Sequence, residues 1–208
     1  LNFSEITSYF KSAYDSKYDA GNADGFFKNM DEDSNESISL DEFKKSEMKS
    51  PYQPSGTSIL SAIEEATNNK GLITYDPRAE NLSKDNIIIA VVGENPYAEG
   101  IGDNPTIGLS SFDKSILEKC YASGNQIVVV ILSGRPLIIE DHISKWSGLI
   151  AAWLPGMAGE GVSDVLFGDY SPTAKLSFSW PRNTDQLPLN EGDQNYDPLF
   201  PFGHGLSY

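Results

Sequence analysis

The sequence Ile87-Ile88-Ile89-Ala90-Val91-Val92 decides the fold class. Six consecutive apolar residues fit a strand that is buried on both faces of a parallel sheet, rather than a strand with one face in water. Ile127–Leu132 is a second run of this kind, and Leu149–Leu154 is a third. We therefore expect Ile87–Val92 and Ile127–Leu132 to lie side by side as central parallel strands.

Segments with helical spacing separate these runs, so strands and helices alternate along the chain. Thr57 is the expected N-cap of the first helix, and Leu72–Tyr75 predicts an additional short strand. The helices are expected at about residues 57–68, 111–123, 140–146 and 158–167. This alternation predicts an α/β fold, in which a doubly wound, mostly parallel sheet lies between helix layers as a three-layer sandwich. The Pro- and Gly-rich end of the chain predicts an irregular tail.

Residues 1–49 have a different composition, rich in Asp, Ser, Lys and Phe, and their apolar residues fall at helical spacing. We expect a small helical module there. Residues 50–56 contain two prolines and a glycine, which predicts a linker. Residues 57–208 are then the α/β domain.

The charge of the chain excludes several classes of function. With 30 acidic and 15 basic residues among 208, the net charge is −15, which repels phosphate backbones and anionic lipids. We therefore expect no nucleic-acid partner and no membrane surface, whereas a cation or a neutral glycan is compatible with this charge. Cys120 is the only cysteine, so no disulfide can form within the chain.

The segment Asp31–Glu42 has the ligand spacing of a calcium loop. Oxygen-bearing residues stand at positions 1, 3, 5 and 12 of an EF-hand-like pattern, which suits a hard cation that needs about six to eight oxygen ligands. The expected ligands for one Ca²⁺ are the side chains of Asp31, Asp33, Asn35 and Glu42 and the carbonyl of Ser37. Position 6 holds Glu36 where the pattern has glycine, which predicts a strained and weakened site. The alternative is a solvated acidic turn between two helices.

The first apolar run leads into a loop, Gly93–Asp103, that is rich in polar residues. In open α/β sheets, functional groups gather beyond the carboxyl ends of the strands, so Glu94, Glu99 and Asp103 are well placed. An isolated glutamate on such a loop can serve as a general acid or base. The alternative is a turn with solvated carboxylates. Neither a dinucleotide-binding glycine pattern nor a P-loop pattern occurs in the chain.

Several motifs, taken in order, resemble those of one enzyme family. They are Gly93–Asp103, Leu132–Pro136, Ala151–Gly156, Gly159–Gly161, Val165–Asp169 and Tyr196–Tyr208. In this order and spacing they are similar to the C-terminal α/β sandwich domain of family 3 glycoside hydrolases, especially the β-glucan exohydrolases. The resemblance covers about residues 56–208.

The resemblance implies a retaining β-glycosidase chemistry, in which a carboxylate nucleophile and an acid/base carboxyl group lie about 5–5.5 Å apart. Glu99 matches the position of the acid/base glutamate. Glu94 matches a position to which we assign a loop-supporting role, and we expect Arg135 to form an internal ion pair or loop clamp. Trp153 is expected to pack rather than to form a sugar platform. The family nucleophile belongs to a TIM-like barrel, so the implied partners are that barrel, in cis or in trans, and a β-glucan or β-glucoside.

The departures from the family pattern bear on function. The barrel with its nucleophile has no counterpart in the chain, nor has the usual first strand of the sandwich with its Gly-rich loop. The chain is therefore either a rearranged relative or a fragment. We expect the acid/base domain of a β-glucosidase or exo-β-glucanase, inactive alone, calcium-binding, and secreted or periplasmic. The alternative is a non-catalytic calcium-binding protein that uses the sandwich for glycan or protein binding.

Overall fold

The computed structural model describes residues 30–31, 33–35, 37–39, 42, 56–68, 70–97, 100 and 102–208. The chain divides into two compact units, Leu1–Ser55 and Gly56–Tyr208. The helices expected within residues 1–49 lie almost wholly outside the described residues. The boundaries that we assign to the helical module, the linker and the α/β domain stay predictions.

Among its described residues, the second unit is built on a parallel sheet of three strands. In sheet order these are β1 (Ile87–Gly93), β2 (Gln126–Leu132) and β3 (Gly148–Trp153). β1 and β2 pair in parallel along their whole length, so the prediction that the first two apolar runs are adjacent strands is confirmed. β2 is the central strand of the described sheet, whereas β1 forms one edge.

In the described part of the chain, four α-helices accompany the sheet. They are α1 (Ile59–Ala66), α2 (Ser111–Ser123), α3 (Glu140–Ile143) and α4 (Gly159–Phe167). Leu117 and Cys120 of α2 share one core with Val129 of β2. α1 packs against α4. Val130 points to the opposite face of the sheet from Val129 and is just as completely buried. Both faces of the central strand are therefore covered, as the predicted doubly wound fold requires.

The N-cap of α1 is one residue later than predicted. The hydroxyl of Ser58 accepts a hydrogen bond from the backbone N–H of Ser61 at 3.1 Å, which is the interaction that defines an N-cap. Thr57 instead forms an isolated parallel bridge with Ala158. Its backbone ties the start of α1 to the start of α4.

The prediction of a strand at Leu72–Tyr75 is wrong. A short 3₁₀ helix occupies Lys70–Leu72, and the chain from residue 73 to 76 has no regular secondary structure. A strand exists only when a neighbouring strand bonds to its peptide groups. Within the described part of the chain, no strand pairs with this run.

The tail after α4 is irregular, as predicted. Trp180, within this tail, binds to the loop after β2. The indole N–H of Trp180 donates to the carbonyl of Leu137 at 2.8 Å, and Trp180 forms an antiparallel bridge with Phe200. Trp180 is 1% exposed, so this contact buries a large aromatic side chain. Among the described residues, no helix has the length and apolar character needed to cross a membrane.

Replacing Val129 with aspartate should abolish stable folding, because an unpaired carboxylate would be buried where the valine is 0% exposed. We expect a loss of about 4 kcal/mol or more in the free energy of unfolding. Val91→Asp is the matched control, since this residue of β1 is 44% exposed and its carboxylate can stay in water. Urea unfolding measures both variants, and equal losses would contradict the assignment of β2 as the central strand.

Candidate functional site

Backbone hydrogen bonds join the carboxyl ends of the three strands at one edge of the sheet. The N–H of Glu94 donates to the carbonyl of Leu132 at 2.9 Å, and the N–H of Ser133 donates to that of Trp153 at 3.1 Å. Gly93 is required for this approach, because a Cβ atom there would stand 1.9 Å from the carbonyl oxygen of Leu132. The loops that follow β1 and β2 therefore start side by side.

Arg135, in the loop after β2, binds the loop after β1 through its guanidinium group. Its Nε and Nη2 atoms lie 2.8 and 2.7 Å from Oε1 of Glu94, and Nη1 donates to the carbonyl of Gly102 at 2.7 Å. The hydrogen bond to Glu94 raises the pKa of Arg135 above its ordinary value. The expected internal ion pair of Arg135 is confirmed, and its partner is the glutamate to which we assign a loop-supporting role.

Tyr97 completes this arrangement, although the sequence pattern did not single it out. The Arg135 guanidinium carbon lies 4.5 Å from the centroid of the Tyr97 ring, and the Tyr97 hydroxyl donates to Oε2 of Glu94 at 3.3 Å. Burial, together with the charge of Glu94, raises the pKa of Tyr97. Cβ atoms at Gly102 and Gly134 would stand 2.3 and 2.7 Å from Tyr97 side-chain atoms, so both glycines leave room for its ring.

We call Glu94, Tyr97, Gly102 and Arg135 the Arg135 clamp. Its ion pair is largely sheltered from water, with 14% of the Glu94 side chain and 24% of the Arg135 side chain exposed. Glu99, the expected acid/base residue, lies outside the described residues. In the sequence, however, Glu99 stands between Tyr97 and Gly102, and the clamp holds both. The chain on each side of Glu99 is thus fixed at the carboxyl edge of the sheet.

Trp153, at the end of β3, packs within an aromatic cluster. Its ring meets Phe178 edge to face, with the ring centroids 5.3 Å apart, and lies 5.8 Å from the ring of Trp180. Its φ of 54° lies in the left-handed region, which costs a non-glycine residue about 1–2 kcal/mol. Packing, as expected, is the role that these contacts give to Trp153.

In the first unit, the structure brings together three of the five residues expected to bind calcium. One carboxylate oxygen each from Asp31, Asp33 and Glu42 lies within 4.8 Å of the others. Two oxygens bound to one Ca²⁺ at about 2.3–2.6 Å are at most about 5 Å apart, so the cluster fits a single ion. Asn35 contacts the cluster, because its backbone N–H lies 3.1 Å from Oδ1 of Asp31. Ser37 is an exposed residue of the same loop.

Glu42 also has a structural partner in this loop. Its carboxylate accepts hydrogen bonds from the N–H and hydroxyl of Ser39 at 2.8 and 2.7 Å, and Ser39 Oγ accepts from the N–H of Glu42 at 3.2 Å. These reciprocal bonds form a helix capping box, and Glu42 is helical. Glu36 lies outside the described residues, and the positive φ that the structure records in the loop is at Ser34, with 56°.

Comparison with known proteins identifies relatives of the chain. The profile of the glycosyl hydrolase family 3 C-terminal domain matches residues 25–208. Among curated proteins, the periplasmic beta-glucosidase of Salmonella typhimurium is 29% identical over 184 residues, covering 68% of this chain and 24% of that protein. The xylan 1,4-beta-xylosidase of Xylanibacter ruminicola is 38% identical over 156 residues, covering 65% of this chain and 18% of that protein.

Among solved structures, the crystal structure of an exo-1,3/1,4-beta-glucanase from a Pseudoalteromonas species is similar to this chain. The TM-score is 0.67 and the sequence identity 40%, and the match covers 74% of this chain and 21% of that one. The chain thus spans no more than 24% of the length of these relatives.

Replacing Arg135 with methionine should loosen the loop after β1. The variant loses hydrogen bonds to Glu94 and Gly102, each of which involves a charged group and contributes about 1.5–3 kcal/mol. We expect backbone amide exchange at residues 94–97 and 102–103, measured by mass spectrometry, to become at least about tenfold faster.

Arg182→Met is the matched control for this experiment. Arg182 forms an ion pair with Glu140 at 2.7 Å, elsewhere in the domain. This variant should leave exchange in the loop after β1 unchanged. Unchanged exchange in Arg135→Met, or an equal change in both variants, would mean that the clamp does not hold the loop.

Proposed function

This chain belongs to the glycosyl hydrolase family 3 C-terminal domains, and on that premise we propose that Glu99 is the general acid/base for hydrolysis of β-glucosidic bonds. The nucleophilic carboxylate is supplied by a TIM-like barrel, in the same polypeptide or as a separate partner. Glu99 first protonates the leaving-group oxygen and then takes a proton from the water that releases the glycosyl-enzyme. The chain alone is inactive by this mechanism, because it contributes one carboxyl group of the two.

The observation that supports this role best is the Arg135 clamp on both sides of Glu99. A catalytic acid contributes to the rate only when it is held within reach of the leaving-group oxygen. The clamp holds residues 97 and 102 at the carboxyl edge of the sheet, which is where α/β domains bind their ligands. It therefore restricts the positions that the short segment with Glu99 can take.

The substrate class and location are proposed from the relatives. One relative is named a periplasmic beta-glucosidase and another an exo-1,3/1,4-beta-glucanase. We assign a β-glucan or β-glucoside to this chain and a secreted or periplasmic location. A neutral glycan is also compatible with the net charge of −15, which would repel an anionic polymer.

Calcium binding by Asp31–Glu42 is the second part of the proposal. Asp31, Asp33 and Glu42 would supply carboxylate oxygens, Asn35 its side-chain oxygen and Ser37 its carbonyl. The three carboxylates already lie within the distance that one ion can bridge. The ion would stabilise the loop by offsetting the repulsion between the clustered carboxylates.

A non-catalytic calcium-binding protein is the second candidate function. The carboxylate cluster favours it, because this cluster is independent of a barrel partner. In this case the sandwich binds a glycan or a protein without cleaving a bond. The role of Glu99 separates the two candidates.

Glu99→Gln should impair hydrolysis most strongly on a substrate with a poor leaving group. The test pairs the chain with a family 3 barrel that carries the nucleophile, by fusion or by mixing. An unactivated β-linked disaccharide needs protonation of its leaving oxygen, so we expect its kcat/KM to fall by about 10²-fold or more. An aryl β-glucoside with a good leaving group should lose much less in its first, glycosylation step.

Glu118→Gln, a substitution on the surface of α2, is the matched control and should leave both substrates unaffected. Equal losses on both substrates for Glu99→Gln would remove Glu99 from proton transfer. A pairing no more active than the barrel alone would favour the non-catalytic candidate.

Calcium should bind the full chain with a stoichiometry of one and raise its thermal stability, because the ion binds only the folded loop. The double variant Asp31→Asn with Glu42→Gln should lose both the binding heat in calorimetric titration and the stability gain. Asp169→Asn with Glu191→Gln removes the same charge from exposed positions of the second unit and should keep both. No calcium uptake up to millimolar concentrations would contradict the proposal.

A further inference from the structure

A cavity of about 450 Å³ lies between β3 and the irregular tail of the second unit. β3 lines one side of it, and the tail lines the other side with residues 174–178 and 204–206. Leu149 of β3 and Leu176 of the tail pack against the buried core, whereas Leu206 is 75% exposed, so the cavity extends from the core to the solvent. Small-molecule sites commonly have volumes of about 300–1,000 Å³, so this cavity can hold a small organic ligand.

Aromatic side chains form much of the wall of this cavity, and they include all three tryptophans of the chain. The six that line it are Trp146, Trp153, Phe178, Trp180, Phe200 and His204. Neighbouring rings contact one another in the geometries that aromatic pairs favour. Trp153 meets Phe178 edge to face, and Phe200 stacks on His204 with the ring centroids 4.7 Å apart. A further flat ring can make contacts of the same kind inside the cavity.

Lys175 gives the cavity a positive charge. Among the described residues that line the cavity, it is the one Lys, Arg, Asp or Glu. Its ammonium group donates a hydrogen bond to the carbonyl of Gly205, and an ammonium group has three N–H donors. None of the ion pairs of the described residues includes Lys175. In a chain with a net charge of −15, a lysine that no described carboxylate neutralises favours an anionic group in this cavity.

We propose that this cavity, the aromatic pocket, binds a small aromatic carboxylate. The ring of the ligand packs among the aromatic side chains, and its carboxylate accepts a hydrogen bond from the ammonium group of Lys175. None of the residues of the Arg135 clamp lines the pocket, so this site is separate from the one that holds the loop with Glu99. Binding of the aromatic carboxylate requires neither the proposed role of Glu99 nor calcium.

Other classes of small ligand fit the aromatic pocket less well. A sugar would bury hydroxyl groups against walls that are mostly apolar, where polar groups without hydrogen-bond partners cost free energy. An aliphatic acid would pair with Lys175 but would lose the contacts between rings. An aromatic amine would place a second positive charge beside Lys175. An aromatic carboxylate uses both the rings and the charge of the pocket.

Tryptophan fluorescence can measure binding directly, because all three tryptophans of the chain line the aromatic pocket. The probe is 3-phenylpropionate, which does not absorb the light that excites tryptophan. Titration of the full chain with this probe should give a saturable change in tryptophan emission, and calorimetric titration should give a stoichiometry of one. The probe should also raise the melting temperature by mass action, because it binds only the folded chain.

Two analogues of the probe separate the contributions of its charge and its ring. 3-Phenylpropionamide keeps the aromatic ring and removes the negative charge, whereas 3-cyclohexylpropionate keeps the charge and replaces the flat ring with a saturated one. We expect each analogue to bind about fivefold more weakly than 3-phenylpropionate, because the amide loses the ion pair and the cyclohexyl compound loses the contacts between aromatic rings.

Lys175→Met should lower the affinity for 3-phenylpropionate about fivefold and leave the affinity for the amide unchanged, because it removes only the charge. Lys84→Met is the matched control, since it removes the same charge from an exposed residue outside the pocket. Leu206→Glu places a carboxylate at an exposed position of the pocket wall, where it repels the carboxylate of the probe. Leu187→Glu, at a residue that is 48% exposed and outside the pocket, should keep the affinity of the unaltered chain.

Three results would overturn the proposal. One is the absence of both a fluorescence change and binding heat when the unaltered chain is titrated to millimolar probe. Another is an affinity for either analogue that equals the affinity for 3-phenylpropionate. The third is unchanged binding of the probe by Lys175→Met or Leu206→Glu, once thermal melting has verified that the variant is folded. A preference for the probe over both analogues that Leu206→Glu abolishes would support the pocket even if Lys175→Met proved unstable.

Discussion

Burial of β2 on both faces is the constraint on which the rest of the domain depends. Val129 and Val130 point to opposite faces, and both are completely buried, so helices must cover each side of the sheet. Parallel strands joined by helices place all their carboxyl ends at one edge. Arg135 can reach Glu94, 41 residues earlier in the chain, only because this edge brings the loops after β1 and β2 together.

The strands could be predicted from the sequence, because a strand that is buried on both faces requires a long run of apolar residues. Most helices could be predicted from the spacing of their apolar residues. The prediction of a strand at Leu72–Tyr75 was wrong because it considered only local residue preferences. These residues favour a strand locally, but a strand also needs a partner, and composition does not show whether one is present. Ser58 and Thr57 can both cap a helix, and serine is the slightly better cap, but the preference is small and the backbone path decides between two neighbouring residues.

The sequence predicted which residue types form the candidate site, but it did not predict which residues contact one another. An arginine after a buried strand indicates an ion pair, yet its partners Glu94 and Gly102 depend on how two distant loops meet. Tyr97 was missed because an aromatic residue in a loop has many structural roles. The spacing of the calcium loop is ambiguous for another reason: Ser39 and Glu42 satisfy a helix capping box and the last positions of an EF-hand-like pattern at the same time.

The Arg135 clamp orients a loop without imposing a strong field on it. An unpaired arginine near a general acid would favour the ionised carboxylate and so oppose proton donation. Glu94, 2.7 Å from the guanidinium, compensates this charge, and the raised pKa of Tyr97 keeps its hydroxyl protonated as a donor to Glu94. The loop is thereby fixed but nearly neutral at the clamp. If Glu99 acts as proposed, its proton affinity depends on what covers this loop: the sandwich would supply orientation, and a covering partner would supply the desolvation that a general acid needs.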